Sequence, residues 1–195
     1  LRGPVFEGLP TLEAHRNILP SAAFLDLALR FGMDGIFVAD PGLSQKEAER
    51  IRRFCADGVI CVPAQLDEAY ENLYDRVFTC RVDSPKWLIR ILESREYSCK
   101  GAVVAPENCV ERCLGAITID NENYGRYTGE IQIIRSDLKA DHRVNVIGRI
   151  PESAACCSTL MPSSSGIIRS STTISGLKVR ISSSASFPCR QHRTT

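Results

Sequence analysis

Two carboxyl groups, Glu13 and Asp40, stand at positions suited to acid–base chemistry. Glu13 lies in a loop that leads into an apolar helical pattern, and Asp40 ends the short apolar run 35–39. A pair of carboxyls can divide the work of proton donor and of base or nucleophile. Each also has a plainer reading. Asp40-Pro41-Gly42 is a turn signal, and Glu13 is spaced to pair with Arg16. Neither residue is assigned as acid or base. His15 and Arg16 lie in the same loop, and Arg is suited to bidentate contact with carboxylate or phosphate. A structural histidine and a solvated arginine are the alternatives. A second polar group comprises Arg95, Asn121, Tyr124 and Arg126. It combines charge, amide donors and an aromatic face; its alternative is a turn held by Asp120 and Asn121, with Gly125 at positive φ. Glu93 and Glu130 read as internal partners of arginines, and Trp87, the one tryptophan, as a core residue. No Walker loop, dinucleotide fingerprint, zinc spacing or nucleophile elbow occurs in the sequence, and no cofactor is expected.

The elements that must position these groups fall into three regions. In residues 1–64, Pro20-Ser21 opens a helical pattern whose apolar face is Ala22, Ala23, Leu25, Leu27, Ala28 and Leu29. Ser21 is its expected cap and Gly32 its stop. The run 35–39 reads as a strand buried on both faces of a parallel sheet. Ser44 with Glu47 forms a capping box for a second helix that runs to about Cys55, and 58–62 reads as another strand. This order is the grammar of an α/β barrel or a doubly wound sheet, but it supplies only about two βα units. Residues 65–150 carry short strands at 76–82, 87–92, 116–119, 129–134 and 143–150, separated by turn residues, which points to a small β-barrel or sandwich.

Residues 151–195 differ again. They are about one quarter serine, lack any acidic residue after Glu152, and show no apolar period. That composition predicts a weakly folded or disordered tail. A Ser/Thr-rich linker and an out-of-frame reading of a coding sequence are its two explanations, and the second is favoured on grounds given below.

The whole chain has a net charge of +1, 44% hydrophobic and 24% charged residues. Such a chain can bury a core, and it has no electrostatic footprint for nucleic acid or an anionic membrane. No apolar run reaches membrane-spanning length, and no leader pattern is visible at residues 1–10. The nine cysteines have no paired metal spacing and read as reduced cytosolic thiols.

Several ordered clusters carry a resemblance. They are Arg2-Gly3-Pro4, Gly8-Leu9-Pro10-Thr11-Leu12-Glu13 with His15-Arg16, and Glu93-Ser94-Arg95 with Tyr97. The densest is Thr118-Ile119-Asp120-Asn121-Glu122, Tyr124-Gly125-Arg126-Tyr127 and Gly129-Glu130-Ile131-Gln132, followed by Asp141 and the segment 143–150. Together they resemble the 6-phospho-N-acetylmuramidase family. The resemblance implies an α/β plus β fold: terminal βα units of a TIM barrel (1–64), a cyclophilin-like small β-barrel (65–150), and a disordered or aberrant tail (151–195). "Cyclophilin-like" names a fold and carries no isomerase activity. It also implies a cytoplasmic bacterial glycosidase of peptidoglycan recycling. Its partner would be a phosphorylated amino-sugar disaccharide, N-acetylmuramic acid 6-phosphate linked to N-acetylglucosamine, with no nucleic acid and no membrane. Glycoside hydrolysis would use two carboxyls, with Glu13 and Asp40 as candidates and the main pair expected in barrel strands that this sequence does not contain. His15, Arg16, Arg95, Asn121, Tyr124 and Arg126 become candidate sugar or phosphate ligands. The resemblance stops within a few residues of Ile150, which favours the out-of-frame explanation of the tail. With most of the barrel missing, the chain is expected to be inactive alone, and a non-catalytic sugar-phosphate-binding module or inactive remnant is the alternative.

Overall fold

The computed structural model describes residues 9–39, 42–74, 76, 78–94, 103–160, 166–167 and 177–180. Its fold is mixed α/β, built around an antiparallel sheet. Helix α1 (Pro20–Leu29) starts on Leu19 as N-cap, with Pro20 in the first turn where its missing N–H costs nothing. Ser21 is therefore inside the helix and buried, not the cap that was expected. Helix α2 (Gln45–Asp57) begins as expected, with Ser44 Oγ accepting from Glu47 N at 3.3 Å, and ends on Gly58 in the left-handed region. The Glu47 side chain does not complete the capping box on its own helix. It accepts from Ser21 N at 2.8 Å and from Arg50, so a carboxylate of α2 caps the first turn of α1. Phe24 and Phe54 meet edge to face at 6.1 Å and lock the two helices together.

The run 35–39 is not a strand. Phe37 is 91% exposed and Val38 is exposed too. Among the described residues no strand lies beside it. Strand β1 (Val59–Val62) forms where predicted and is buried throughout, but it pairs antiparallel with β9 (Leu177–Arg180), not within a parallel sheet. The serine-rich region is likewise not uniformly unstructured. It opens with helix α3 (Glu152–Leu160), which lays Ala154 and Ala155 against the core and docks on α1, with Leu19 N donating to Ser153 O at 2.8 Å. Its small side chains permit close helix approach. Short strands β8 (Gly166–Ile167), paired with β3 (Thr79–Cys80), and β9 also fall in this region.

The main sheet has the order β2-β7-β5-β6-β4, antiparallel throughout: β2 (Gln65–Leu66), β7 (Val144–Arg149), β5 (Ala116–Asp120), β6 (Ile131–Ile134) and β4 (Leu88–Arg90). The strands expected at 76–82 and 87–92 shrink to β3 and β4, while the later three keep nearly their predicted spans. Period-2 alternation divides the sheet's faces. Ile89, Ile133 and Ile117 align across β4, β6 and β5, as do Ile131 and Ile119. These side chains belong to one cluster that continues through Ile60, Phe54, Leu25 and Ala22, so sheet, β1 and helices share a core. The opposite face carries Arg90, Gln132 and Thr118 in one row, and Asp120 at the end of β5.

Gly148 is required by the β2–β7 pairing. A Cβ there would overlap Gln65 O and sit 2.6 Å from Leu66 Cδ2. Gly148→Ala is expected to cost about 1–3 kcal/mol, because backbone must move to admit the methyl group. Urea unfolding measures it, and an unchanged midpoint would show that β2 shifts freely.

Candidate functional site

A cleft of about 460 Å³ opens on the polar face of the sheet. Its floor is Asp120, Glu130 and Gln132. Its walls are Trp87, Tyr124, Tyr127 and Leu138, with Arg90, Arg112 and Asp141 at hand. The aromatic wall depends on a tight 3-10 segment, Glu122–Tyr127. Asn121 caps it by accepting from Asn123 N at 3.0 Å, and Gly125 supplies the positive φ of 61° that folds it back. Tyr124 and Tyr127 meet edge to face at 5.6 Å, and Arg143 lies 4.6 Å over the Tyr124 ring. Aromatic faces beside hydrogen-bonding groups suit a ring that is apolar on its faces and polar at its edge.

The two floor carboxyls have different surroundings. Glu130, 1% exposed, accepts from Arg90 Nη2 at 2.6 Å and lies 3.5 Å from Arg81 Nη1. The Asp120 carboxyl, 2% exposed, accepts among the described residues from the Gln132 amide alone, at 3.1 and 3.3 Å. Burial, then the nearby charge of Glu130, pushes the Asp120 carboxyl up to about 7. At the rim, Arg143 holds Asp141 far below the usual carboxylate range, mainly through a hydrogen bond of 2.7 Å. A carboxyl raised by burial, Asp120, and one lowered by its arginine, Asp141, thus border the same space, a division of roles set by environment. Among the described residues no group of three metal-ligating side chains forms.

The expected site residues do not all converge here. Tyr124 lines the cleft. Asn121 is fully buried and structural: its Nδ2 donates to Asn145 Oδ1 at 2.8 Å and to His142 O at 3.0 Å. Arg126 is exposed and turned onto Tyr127, donating to its hydroxyl at 2.6 Å. His15 is buried against Asp26 at 2.8 Å, Glu13 and Arg16 pair with each other, and none of the three lines the cleft. Asp40 and Arg95 lie outside the described residues. Trp87 is 44% exposed on the cleft wall, not in the core. Glu130 pairs with arginines as expected, and among the described residues Glu93 accepts from Thr79 N at 2.7 Å. Sequence reading missed Arg90, Arg112, Asp120 and Gln132 as cleft residues. The signal was the alternation of β5 and β6, which sets Thr118, Asp120 and Gln132 against the isoleucine face.

The family profile for the N-terminal part of 6-phospho-N-acetylmuramidases matches residues 1–53, and that for the C-terminal part matches residues 60–165. The chain belongs to the 6-phospho-N-acetylmuramidase family. The second match runs past Ile150 and takes in helix α3. A conserved protein of unknown function from a locus in Enterococcus faecalis is similar in structure, with a TM-score of 0.73 and 30% identity over 88% of this chain and 46% of that one. An uncharacterized B. cereus protein shares the fold, with a TM-score of 0.59 and 24% identity over 77% of this chain and 44% of that one. The chain therefore spans less than half the length of either solved structure. No curated protein matches it.

Proposed function

We propose that this chain is the later portion of a cytoplasmic glycoside hydrolase that separates N-acetylmuramic acid 6-phosphate from N-acetylglucosamine, and that the cleft on the sheet holds part of that sugar. The observation that carries the reading is the pair of family matches, in order, over both parts of the chain. The cleft supports it with an aromatic wall for a sugar ring, and arginines and amides for its polar edge. In this reading residues 1–64 are closing βα units of a TIM barrel, in which the exposed run 35–39 finds its neighbours, and the antiparallel sheet is a cyclophilin-like domain beside the barrel mouth. The bond-breaking carboxyls come largely from strands outside this sequence, with Glu13 and Asp40 retained as rim candidates.

A non-catalytic sugar-phosphate-binding module is the second reading. It is favoured by the chain's span of less than half the length of its structural relatives. A full-length family protein carrying these residues is expected to release N-acetylglucosamine from the phosphorylated disaccharide, while this chain alone binds without cleaving. Tyr124→Ala in the full-length protein should raise KM about tenfold, the loss of roughly 1.4 kcal/mol of stacking. Absence of N-acetylglucosamine release by the full-length protein would defeat the hydrolase reading.

A further inference from the structure

The two cleft carboxyls differ in what is left for a ligand. Glu130 is committed to Arg90 and Arg81. Asp120, directly across the β5–β6 ladder from it, is bonded by no cation among the described residues; its two oxygens share one amide donor. The charges around it are Arg90 on β4, Glu130 beside β6, Arg112 from the preceding loop and Asp141 before β7. Burial and the Glu130 charge disfavour its ionised form more than the arginines favour it. A neutral carboxyl carries an O–H and becomes a donor. Arg112 is the complementary group. Its Nε and Nη2 both donate to Lys139 O, at 3.0 and 2.9 Å, which fixes the guanidinium plane at the cleft. Of the roughly five N–H donors of an arginine, those not aimed at Lys139 O remain for a ligand.

We propose that Asp120 and Arg112 form one anion-receiving pair, Arg112 supplying charge and Asp120 a carboxyl O–H, so that the phosphate of a phosphorylated sugar seats here with uptake of a proton. This rests on the sugar-phosphate reading above and adds which residues take the phosphate and in which protonation state. The proton comes from solvent and stays on the Asp120–phosphate hydrogen bond; no covalent bond changes. Binding therefore draws on the protonated form, strong below about pH 7 and weakening as pH rises through it.

Calorimetric titration of the chain with N-acetylglucosamine 6-phosphate, N-acetylglucosamine and inorganic phosphate tests this, at pH 6 and pH 8 and in two buffers of different ionisation enthalpy. The phosphorylated sugar is expected to bind about tenfold more weakly at pH 8 than at pH 6, with close to one proton taken up at pH 8. Asp120→Asn, which keeps an N–H donor, should retain binding at pH 6 within a few-fold and lose both the uptake and the Asp120-dependent part of the pH profile. The phosphate's own ionisation, near pH 6, acts alike in both proteins and cancels in the comparison. Arg112→Gln, at the partly exposed edge, should weaken binding about tenfold at both pH values; with wild-type proton uptake it decides the matter if Asp120→Asn fails to fold. Binding with no proton uptake, or with identical pH profiles in wild type and Asp120→Asn, overturns the proton-coupled pair while leaving the sugar-phosphate reading standing. Equal affinity for the unphosphorylated sugar overturns the anion role. No binding of any probe overturns the sugar-phosphate reading of the cleft and this inference together.

Discussion

Glu130→Ala is expected to destabilise the protein by about 3–5 kcal/mol, measured as a lower urea midpoint at unchanged m-value. The magnitude follows from what the substitution leaves behind. Arg81 and Arg90 both approach the Glu130 carboxylate, and the Arg81 side chain is itself buried. Removing the carboxylate strands guanidinium charge in a place that water does not reach, which costs more than the ion pair contributed. Asp83 moderates the loss, since it lies 2.6 Å from Arg81 and 3.5 Å from Arg90 and is exposed to solvent. Glu130→Gln, which keeps the shape and one acceptor, should lose less than Glu130→Ala. The same change has an electrostatic consequence on the facing strand. Without the Glu130 charge the Asp120 carboxyl should titrate lower, by less than its whole displacement, because burial is the larger cause. A loss below about 1 kcal/mol for Glu130→Ala would mean that Asp83 and solvent take over both arginines.

Asn121→Ala should cost about 3 kcal/mol and also weaken sugar-phosphate binding about tenfold, although Asn121 does not line the cleft. The side chain joins three segments: the 3-10 turn through Asn123 N, the segment before β7 through His142 O, and the network through Asn145 Oδ1. Asn145 in turn accepts from Glu107 N at 3.1 Å and donates to Ala105 O at 2.8 Å. Alanine leaves buried donors and acceptors without partners, each worth about 1–3 kcal/mol. It also releases the turn that carries Tyr124 and Tyr127, so the aromatic wall loses its fixed position. Tyr124→Ala serves as the comparison, with reduced affinity and little loss of stability. Full affinity in a destabilised Asn121→Ala protein would show that the aromatic wall holds itself.

The early part of the chain misled for one reason. Runs such as 35–39 and 59–62 are equally apolar, and composition cannot say which will find a ladder. Residues 59–62 are paired by a strand more than a hundred positions later, whereas Phe37 and Val38 lie exposed. The tail misled for a related reason. Alanine and cysteine at 154–157 have no amphipathic signal, yet α1 presents a face close enough to bury Ala154 and Ala155. In the site, the residue types that drew notice were local clusters. His15, Asn121 and Arg126 proved to be held by neighbours within the fold.

The sequence by itself determined the family, helix α2 with its Ser44 cap, the Gly125 turn and the later strands. All of these are written in short-range pattern, where a residue's own backbone preference or its immediate spacing settles the outcome. Tertiary structure alone decided that Asp120 faces Glu130 across a ladder, and that Trp87, Arg90 and Arg112 close on the same space. It also paired one of two buried carboxyls with arginines and raised the pKa of the other by burial. Those outcomes depend on register between strands and on exclusion of water, and both arise only when distant segments pack.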